Sequence, residues 1–370
     1  MTVETNRSPI FKTLAAGAVI VVLAGLLAVR LLARDGAAAP PYGDVPAPAA
    51  MVLDDLGVPC WSCPEAVEWP IRFQTNLDLL APLGDGPANA ATFFAQFAKA
   101  DGPRAAEGIA FLERRQPPVG VGDFNIGDVV PPDDPLLLEA EPWVDQATMH
   151  FYPDLLPING VNTPLPNLLF MLGLARSWIA HGVAAEDPAA GLADCRRAIR
   201  LGRLLRQEDA VLINDLVGLA CIHLGARGIY QIAQRTGDDE QALLASVVIG
   251  EVAPQRLYTS QRITSVSLEP FVGKTESGGY TLSMPDSRLD TIVELATECP
   301  DRRFKGEAVL DLRVVEEYGT PSQRERARAV TDELIAGGDP VMSRLAESCR
   351  TTNPAESMLE QMADQETRKR

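Results

Sequence analysis

The sequence predicts an all-α protein made of one N-terminal transmembrane helix, a proline-rich wrapping segment and an array of antiparallel helical hairpins. Three observations predict this class. An apolar run lies near the N-terminus, most of the 29 prolines lie between Pro40 and Pro166, and the remainder carries repeated helix-start signals. Because proline interrupts helices, the Pro40 to Pro166 part is expected to hold only short elements.

These observations divide the chain into five segments. We predict a short cytoplasmic tail at 1–13, a transmembrane anchor at 14–33, an Ala/Pro-rich linker at 34–52, a proline-rich irregular segment with short helices at 53–166, and a helical domain at 167–370. Within the proline-rich segment, 88–100 is interpreted as a helix and 120–132 as a loop with room for a short strand. Its aromatic side chains are expected to pack onto the helical domain.

The apolar run from Leu14 to Val29 contains no polar side chain, and it resumes after Arg30 as far as Ala33. Twenty helical residues span about 30 Å, which is the hydrocarbon thickness of a bilayer. The alternative is a cleaved signal peptide, since the three alanines at 37–39 resemble a cleavage site. The arginines at the exit of the run favour an uncleaved anchor. Its short N-terminal tail and the acidic remainder predict an N-in topology, with the bulk of the chain extracytoplasmic (periplasmic or on the outer face).

Four capping residues directly precede a proline, and each pair marks a helix start. They are Asp187-Pro188, Thr320-Pro321, Asp339-Pro340 and Asn353-Pro354. The first residue of each pair accepts from free backbone N–H groups, and the proline occupies a helical position that needs no donor. With Gln323, Thr320 also forms a capping-box pattern. The helices predicted from these signals and from apolar spacing cover 167–184, 188–207, 210–235, 239–262, 286–298, 305–318, 321–336, 340–350 and 354–365.

Charge and composition exclude several classes of function. The formal net charge is −17, so the chain lacks the basic balance that a nucleic-acid partner requires. Only three histidines occur, which argues against a metal centre built from imidazoles. No P-loop, nucleophile elbow, glycine-rich dinucleotide turn or H-E-x-x-H motif is present, and we therefore predict no metal and no cofactor.

The cysteines offer one motif, the C-x-x-C of Cys60 and Cys63. In an oxidising compartment this spacing fits a redox dithiol, a metal site, a structural disulfide or two unpaired thiols. Pro64 stands where a haem-attachment motif needs histidine, and a proline-rich tether precedes the motif instead of a strand. We predict a structural disulfide, either mutual or with Cys299 or Cys349.

Three arginines lie on one side of the predicted 188–207 helix. Arg196, Arg200 and Arg203 are spaced i, i+4 and i+7, which puts their side chains on one face. Guanidinium groups bind carboxylates and phosphates, so this row could contact an anion or a protein partner. In a chain of net charge −17, pairing with the protein's own carboxylates is the preferred interpretation.

The predicted 210–235 helix carries a ridge of small residues. Gly218, Cys221, Gly225 and Gly228 follow at i, i+3, i+7 and i+10, and this spacing lets a neighbouring helix approach closely. Cys221, like Cys195 on the preceding helix, is interpreted as a small buried apolar residue.

Two polar residues of the same helix interrupt an apolar run. A buried carboxylate needs a partner or a shifted pKa, so Asn214 and Asp215 form a possible buried polar site. We predict that Asp215 pairs with an arginine of the preceding helix. The alternative is a catalytic acid that works with His223 and the Arg196 to Arg203 row, although the spacing of His223 predicts a solvated position.

The function predicted from these observations is binding or scaffolding at the membrane surface. The chain would contact the membrane through its N-terminal helix and a possible protein partner through its helices, with no nucleic acid and no enzymatic activity expected. The alternative is a cell-envelope enzyme of hydrolase type, whose site would include Asp215 and His223.

The anchor prediction can be tested by fractionation. Carbonate-washed membranes should retain the full-length chain with its N-terminus intact, because the apolar run is long enough to span the bilayer. A soluble form beginning near Pro40 would show that the run is a cleaved signal peptide.

Overall fold

The computed structural model of the protein describes residues 73–98, 102–117, 126–151, 166–207, 212–266, 268–275, 279–299, 302–352 and 355. This part of the chain is mostly helical with little sheet, which confirms the all-α prediction. The predicted tail, anchor and linker lie outside the described residues, as do Cys60 and Cys63.

The described elements follow in chain order. They are α1 (73–80), β1 (Gly86–Asn89), α2 (Ala91–Phe94), a 3₁₀ turn (Ala95–Phe97), α3 (Ala105–Glu113), α4 (Pro135–Val144), β2 (Gln146–Thr148), α5 (Leu168–Ala184), α6 (Pro188–Leu205), α7 (Leu212–Thr236), α8 (Asp239–Val266), a 3₁₀ turn (Glu269–Phe271), β3 (Val272–Lys274), β4 (Tyr280–Leu282), α9 (Asp286–Glu298), α10 (Arg302–Tyr318), α11 (Pro321–Ala336) and α12 (Pro340–Thr352).

The predicted capping residues begin these helices. The side chain of Asp187 accepts a hydrogen bond from the backbone N–H of Ala189 at 3.0 Å, and Asp339 accepts from Met342 at 3.4 Å. Thr320 and Gln323 form both bonds of the capping box. Each described helix from α5 to α12 lies within a few residues of its predicted range, whereas 353–354 lie outside the described residues.

The proline-rich segment differs in detail from its prediction. The helix expected at 88–100 is reduced to α2 and the 3₁₀ turn that follows it. The strand β1 precedes α2 and pairs in parallel with β2. Asn89 closes this pair, because its side-chain oxygen accepts from the His150 N–H at 2.9 Å and its amide donates to the His150 carbonyl at 2.8 Å.

Aromatic side chains of this segment pack against α5. The ring centroid of Phe170 lies 4.5 Å from that of Phe97 and 5.0 Å from that of Phe111. One continuous hydrophobic core therefore extends from Phe73 in α1 to Val252 in α8.

A second hydrophobic core, here named the C-terminal cluster, runs from Leu268 to Ala355. It consists of the β3–β4 hairpin and helices α9 to α12, with α8 leading into it. The predicted boundary at 166/167 stays a prediction, since burial alone does not define domains.

One described helix segment, Ile213–Thr236, is long and apolar enough to cross a membrane. However, 78% of its most apolar window is buried inside the fold, as in the core helix of a globular domain. The shorter apolar helix α5 is also largely buried.

The small-residue ridge of α7 packs directly against α6. A Cβ built on Gly225 would lie 2.6 Å from the Ile199 side chain, and one on Gly218 would lie 2.6 Å from the Gly202 carbonyl oxygen. Gly228 faces Cys195. Residue numbers rise along α7 as they fall along α6, so the two helices are antiparallel and their backbones meet at glycine.

Replacing Gly225 by leucine should push these two helices apart. We expect a loss of about 1–3 kcal/mol or more in the free energy of unfolding, seen as a lower thermal midpoint of the purified full chain. The matched control is Gly338→Leu, where a Cβ meets nothing within 4 Å. Equal midpoints for the two variants would contradict the α6–α7 contact.

Candidate functional site

The arginine row of α6 holds the C-terminal end of α1. Arg196 donates from Nε to the Leu80 carbonyl at 3.1 Å, and Arg200 donates from Nε to the Pro82 carbonyl at 2.9 Å. These carbonyl groups lie at the end of a helix or just beyond it, where no backbone N–H group of the helix is left to donate to them. The row therefore supplies donors and positive charge to the end of α1.

Arg203 is the most deeply buried member of the row, with 4% of its surface exposed. Its guanidinium donates to the Ala81 carbonyl at 2.6 Å and to the Leu77 carbonyl at 3.3 Å, and it also pairs with Asp78. A buried guanidinium requires such partners because its desolvation is unfavourable.

Carboxylates also contact this side of α6, as the sequence predicts. Arg200 pairs with Asp145, and the neighbouring Arg197 pairs with Glu141 at 3.3 Å and with Asp194. Burial raises the pKa of Asp194, although the charge of Arg197 opposes this shift. The whole row thus joins α6 to α1 and to the end of α4, and its role as an anion or partner contact stays a prediction.

Asp215 lies in the first turn of α7 and is 1% exposed. Its carboxylate accepts a hydrogen bond from Nε of Arg206 at 2.8 Å, and the Arg206 guanidinium also lies over the Phe73 ring at 5.2 Å from its centroid. Asp215 therefore pairs with an arginine at the end of the preceding helix, Arg206, as the sequence predicts.

Asn214 is fully buried beside Asp215. Neither its amide nitrogen nor its oxygen has a hydrogen-bond partner, which is unfavourable for a buried amide. The described residues around Asn214 provide no chemistry that would use it.

His223 lies eight residues after Asp215 on α7, about 12 Å further along the helix axis and about 80° around it. It is half-buried, not fully solvated as its spacing suggests. The helix spacing thus separates His223 from the Asp215 carboxylate.

The described cysteines correct the disulfide prediction. Cys299 and Cys349 are buried and are not in disulfides, and the same holds for Cys195 and Cys221. Burial raises the pKa of Cys349 to about 12 and that of Cys221 to about 12. Cys299 and Cys349 are packed among the side chains of the apolar C-terminal cluster. The mutual Cys60–Cys63 disulfide stays a prediction.

Sequence reasoning missed one helix start that its own rule could have found. Asp134 precedes Pro135 and caps α4 by accepting from the Leu136 N–H at 3.0 Å. The same carboxylate pairs with Arg114 at 2.8 Å, so it links α3 to α4. This Asp-Pro pair is the same signal as the one at Asp187, but it lies in the segment that was predicted to be irregular because of its many prolines.

Two acidic residues of the C-terminal cluster were also missed. Burial raises the pKa of Glu307 to about 6, and burial together with the charge of Glu307 holds the pKa of Asp311 well above its usual value. Their i, i+4 spacing within a predicted helix was the only signal available. Among the described residues, no group of three or more His, Cys, Asp or Glu side chains is arranged to hold a metal ion.

Comparison with known proteins finds no family model, no curated protein and no solved structure that matches this chain.

Arg203→Met keeps the aliphatic volume of the side chain but removes the donors for the end of α1. We expect the free energy of unfolding to fall by about 1–3 kcal/mol, because buried carbonyl groups lose their partners. Chemical denaturation of the purified full chain measures this change.

The control is Arg326→Met, since Arg326 pairs with Asp290 at a site where both side chains are about half exposed, 46% and 59%. Such a pair contributes about 0–1 kcal/mol. If the two variants lose the same stability, Arg203 does not hold α1.

Proposed function

We propose that this protein is a membrane-anchored, extracytoplasmic helical module that binds or scaffolds a protein partner at the membrane surface. In this proposal 14–33 spans the membrane with the N-terminus inside, 34–52 is a tether, and the helices that follow form an array of antiparallel hairpins. The observation that carries the proposal is the contact between the arginine row and α1. The guanidinium groups of the row donate to backbone carbonyl groups at the end of α1 or just beyond it.

This contact has a mechanical consequence for an anchored protein. Helix α1 is the first described element after the proposed tether, and its residues Phe73, Leu77 and Leu80 are at most 1% exposed. Asn76 adds a link to α8, because its amide donates to the buried Glu251 carboxylate at 2.9 Å. A force that reaches α1 would therefore act on the main helical core, as a scaffold requires.

The alternative is an envelope enzyme. The acid and the arginines that it would need make their contacts inside the fold. A hydrolase site needs an acid, a base and an electrostatic stabiliser within reach of one substrate atom. Asp215 is instead buried against Arg206, and the arginines of the row contact backbone carbonyl groups. This arrangement favours a binding module over catalysis at that place.

The proposal is tested by isolating the tagged full-length chain from native membranes in mild detergent. We expect a partner that is recovered in every replicate at near-stoichiometric amount. The matched control is a chain truncated after residue 52, which keeps the proposed anchor and tether and lacks the helices.

A partner retained by the truncated chain, or the absence of any reproducible partner, would contradict a scaffold formed by the helices. The enzyme alternative gains if the purified chain hydrolyses a cell-wall substrate and loses that turnover in Asp215→Asn while its thermal midpoint is preserved.

A further inference from the structure

Helix α1 lies on α6 and α8 in the way that an amphipathic helix lies in the groove of a partner protein. Its buried side chains are Phe73, Leu77 and Leu80, each at most 1% exposed, and they follow at i, i+4 and i+7. Thr75 and Leu79 on its other face are exposed. This spacing of anchors is typical of a helix that is recognised through a groove.

Polar side chains of α6 and α8 select this helix. Arg203 donates to the Ala81 carbonyl at 2.6 Å and pairs with Asp78, while Glu251 accepts from the Asn76 amide at 2.9 Å. Arg203 therefore matches the negative end of the helix dipole as well as an acidic side chain. The side chains that contact α1 in this way define the α1 groove, and they are Arg196, Arg200, Arg203, Arg206 and Glu251.

The connection between α1 and the rest of the fold is short. Residues 81–85 form no helix or strand, and the strand that follows is held without α1, because the Gly86 N–H donates to the Asp145 carbonyl at 3.2 Å. A Cβ on Gly84 would lie 1.8 Å from the same carbonyl oxygen, so the chain is close to this backbone from Gly84 onward. Helix α1 can therefore leave the groove through a change at 81–83.

The α1 groove is formed by residues that lie far along the chain from α1. The bond from Arg196 to the Leu80 carbonyl joins positions 116 residues apart, and the bond from Asn76 to Glu251 joins positions 175 residues apart. Closing such long loops costs conformational entropy, so we expect α1 to dock after α6 and α8 have assembled. Until then, the α1 helices of neighbouring copies compete for the same groove according to their effective concentrations.

An α1 groove without its helix is unfavourable. The guanidinium of Arg203, which is 4% exposed in the closed fold, would lose its carbonyl acceptors, and the apolar surface beneath Phe73, Leu77 and Leu80 would meet water. The α1 helix of another copy satisfies these groups through identical contacts. Exchange of an identical element is for this reason a low-cost route to a dimer.

We propose that two copies of this chain exchange α1, so that the α1 groove of each copy holds the α1 helix of the other. The interaction surface is the α1 groove, and the partner is a second copy of the chain. The exchange needs neither the proposed membrane anchor nor the proposed tether. Its failure would leave the proposed scaffold for a different protein partner untouched.

The test is cross-linking between two differently tagged full-length chains that are co-expressed and extracted in mild detergent. One chain carries Leu79→Cys, at a position of α1 that is 66% exposed, and the other carries Gln241→Cys on α8. Arg196 brings these positions together, because its guanidinium donates to the Leu80 carbonyl at 3.1 Å and to the Gln241 side chain at 2.7 Å. A flexible bis-maleimide should therefore give a product that carries both tags.

The background comes from the six native cysteines, and a mixture in which wild type replaces the Leu79→Cys chain measures it. We expect the product with both tags to exceed this background by about tenfold or more, because docking raises the effective concentration of the two thiols to the millimolar range.

A matched pair of substitutions shows whether the product reports on docking. Adding Leu77→Asp to the Leu79→Cys chain should reduce the product to background, because a buried anchor of α1 becomes charged. Adding Thr75→Asp instead places the same charge on the exposed face of α1 and should retain the product.

A single chain with both Leu79→Cys and Gln241→Cys calibrates the reach of the reagent. If this chain cross-links internally as a monomer while the mixture of single variants gives only background, α1 stays in its own copy and the proposal is overturned. It is also overturned if the product with both tags survives Leu77→Asp, since that product would come from a contact outside the groove. A double variant that does not cross-link at all would contradict the α1 groove itself.

Discussion

The close contact between α6 and α7 is the constraint on which the rest of the main core depends. Gly202 and Gly218 meet with no side chain between their backbones, and Gly225 fits against Ile199. This approach fixes the orientation of α6, and an adjacent face of the helix then presents Arg196, Arg200 and Arg203 to α1. A larger residue in the glycine ridge would therefore disturb both the hairpin and the attachment of the segment that precedes it.

Helix starts could be predicted because their signals are local. An acceptor side chain before a proline determines the first turn within three residues, and Asp187, Thr320 and Asp339 all cap as predicted. The pairing of Asp215 with an arginine was also predictable, because a buried carboxylate has few alternatives in a chain of this composition. These expectations required no knowledge of long-range packing.

The remaining features depend on contacts between distant parts of the chain. The strand β1 has no alternating pattern, and it forms because Gly86 and Asn89 pair with β2 about sixty residues later. Several acceptors of the arginine row are backbone carbonyl groups at the end of α1 or just beyond it, and a backbone acceptor cannot be recognised from the residue type. The disulfide prediction for Cys299 and Cys349 was wrong because an even number of cysteines and an inferred oxidising compartment say nothing about which side chains meet.

The most conspicuous charged pattern of the sequence is used inside the fold. Arg196, Arg200 and Arg203 are conspicuous because of their spacing, and each of them donates to oxygen acceptors within the fold. Glu307 and Asp311 look like an ordinary solvated pair on an amphipathic helix. In the fold, however, Asp311 is 5% exposed and Glu307 is half-buried, and this burial raises the pKa of both carboxyl groups. Spacing along the chain thus indicates which charged side chains share a helix face, whereas their burial depends on how the helices pack and can be read only from the fold.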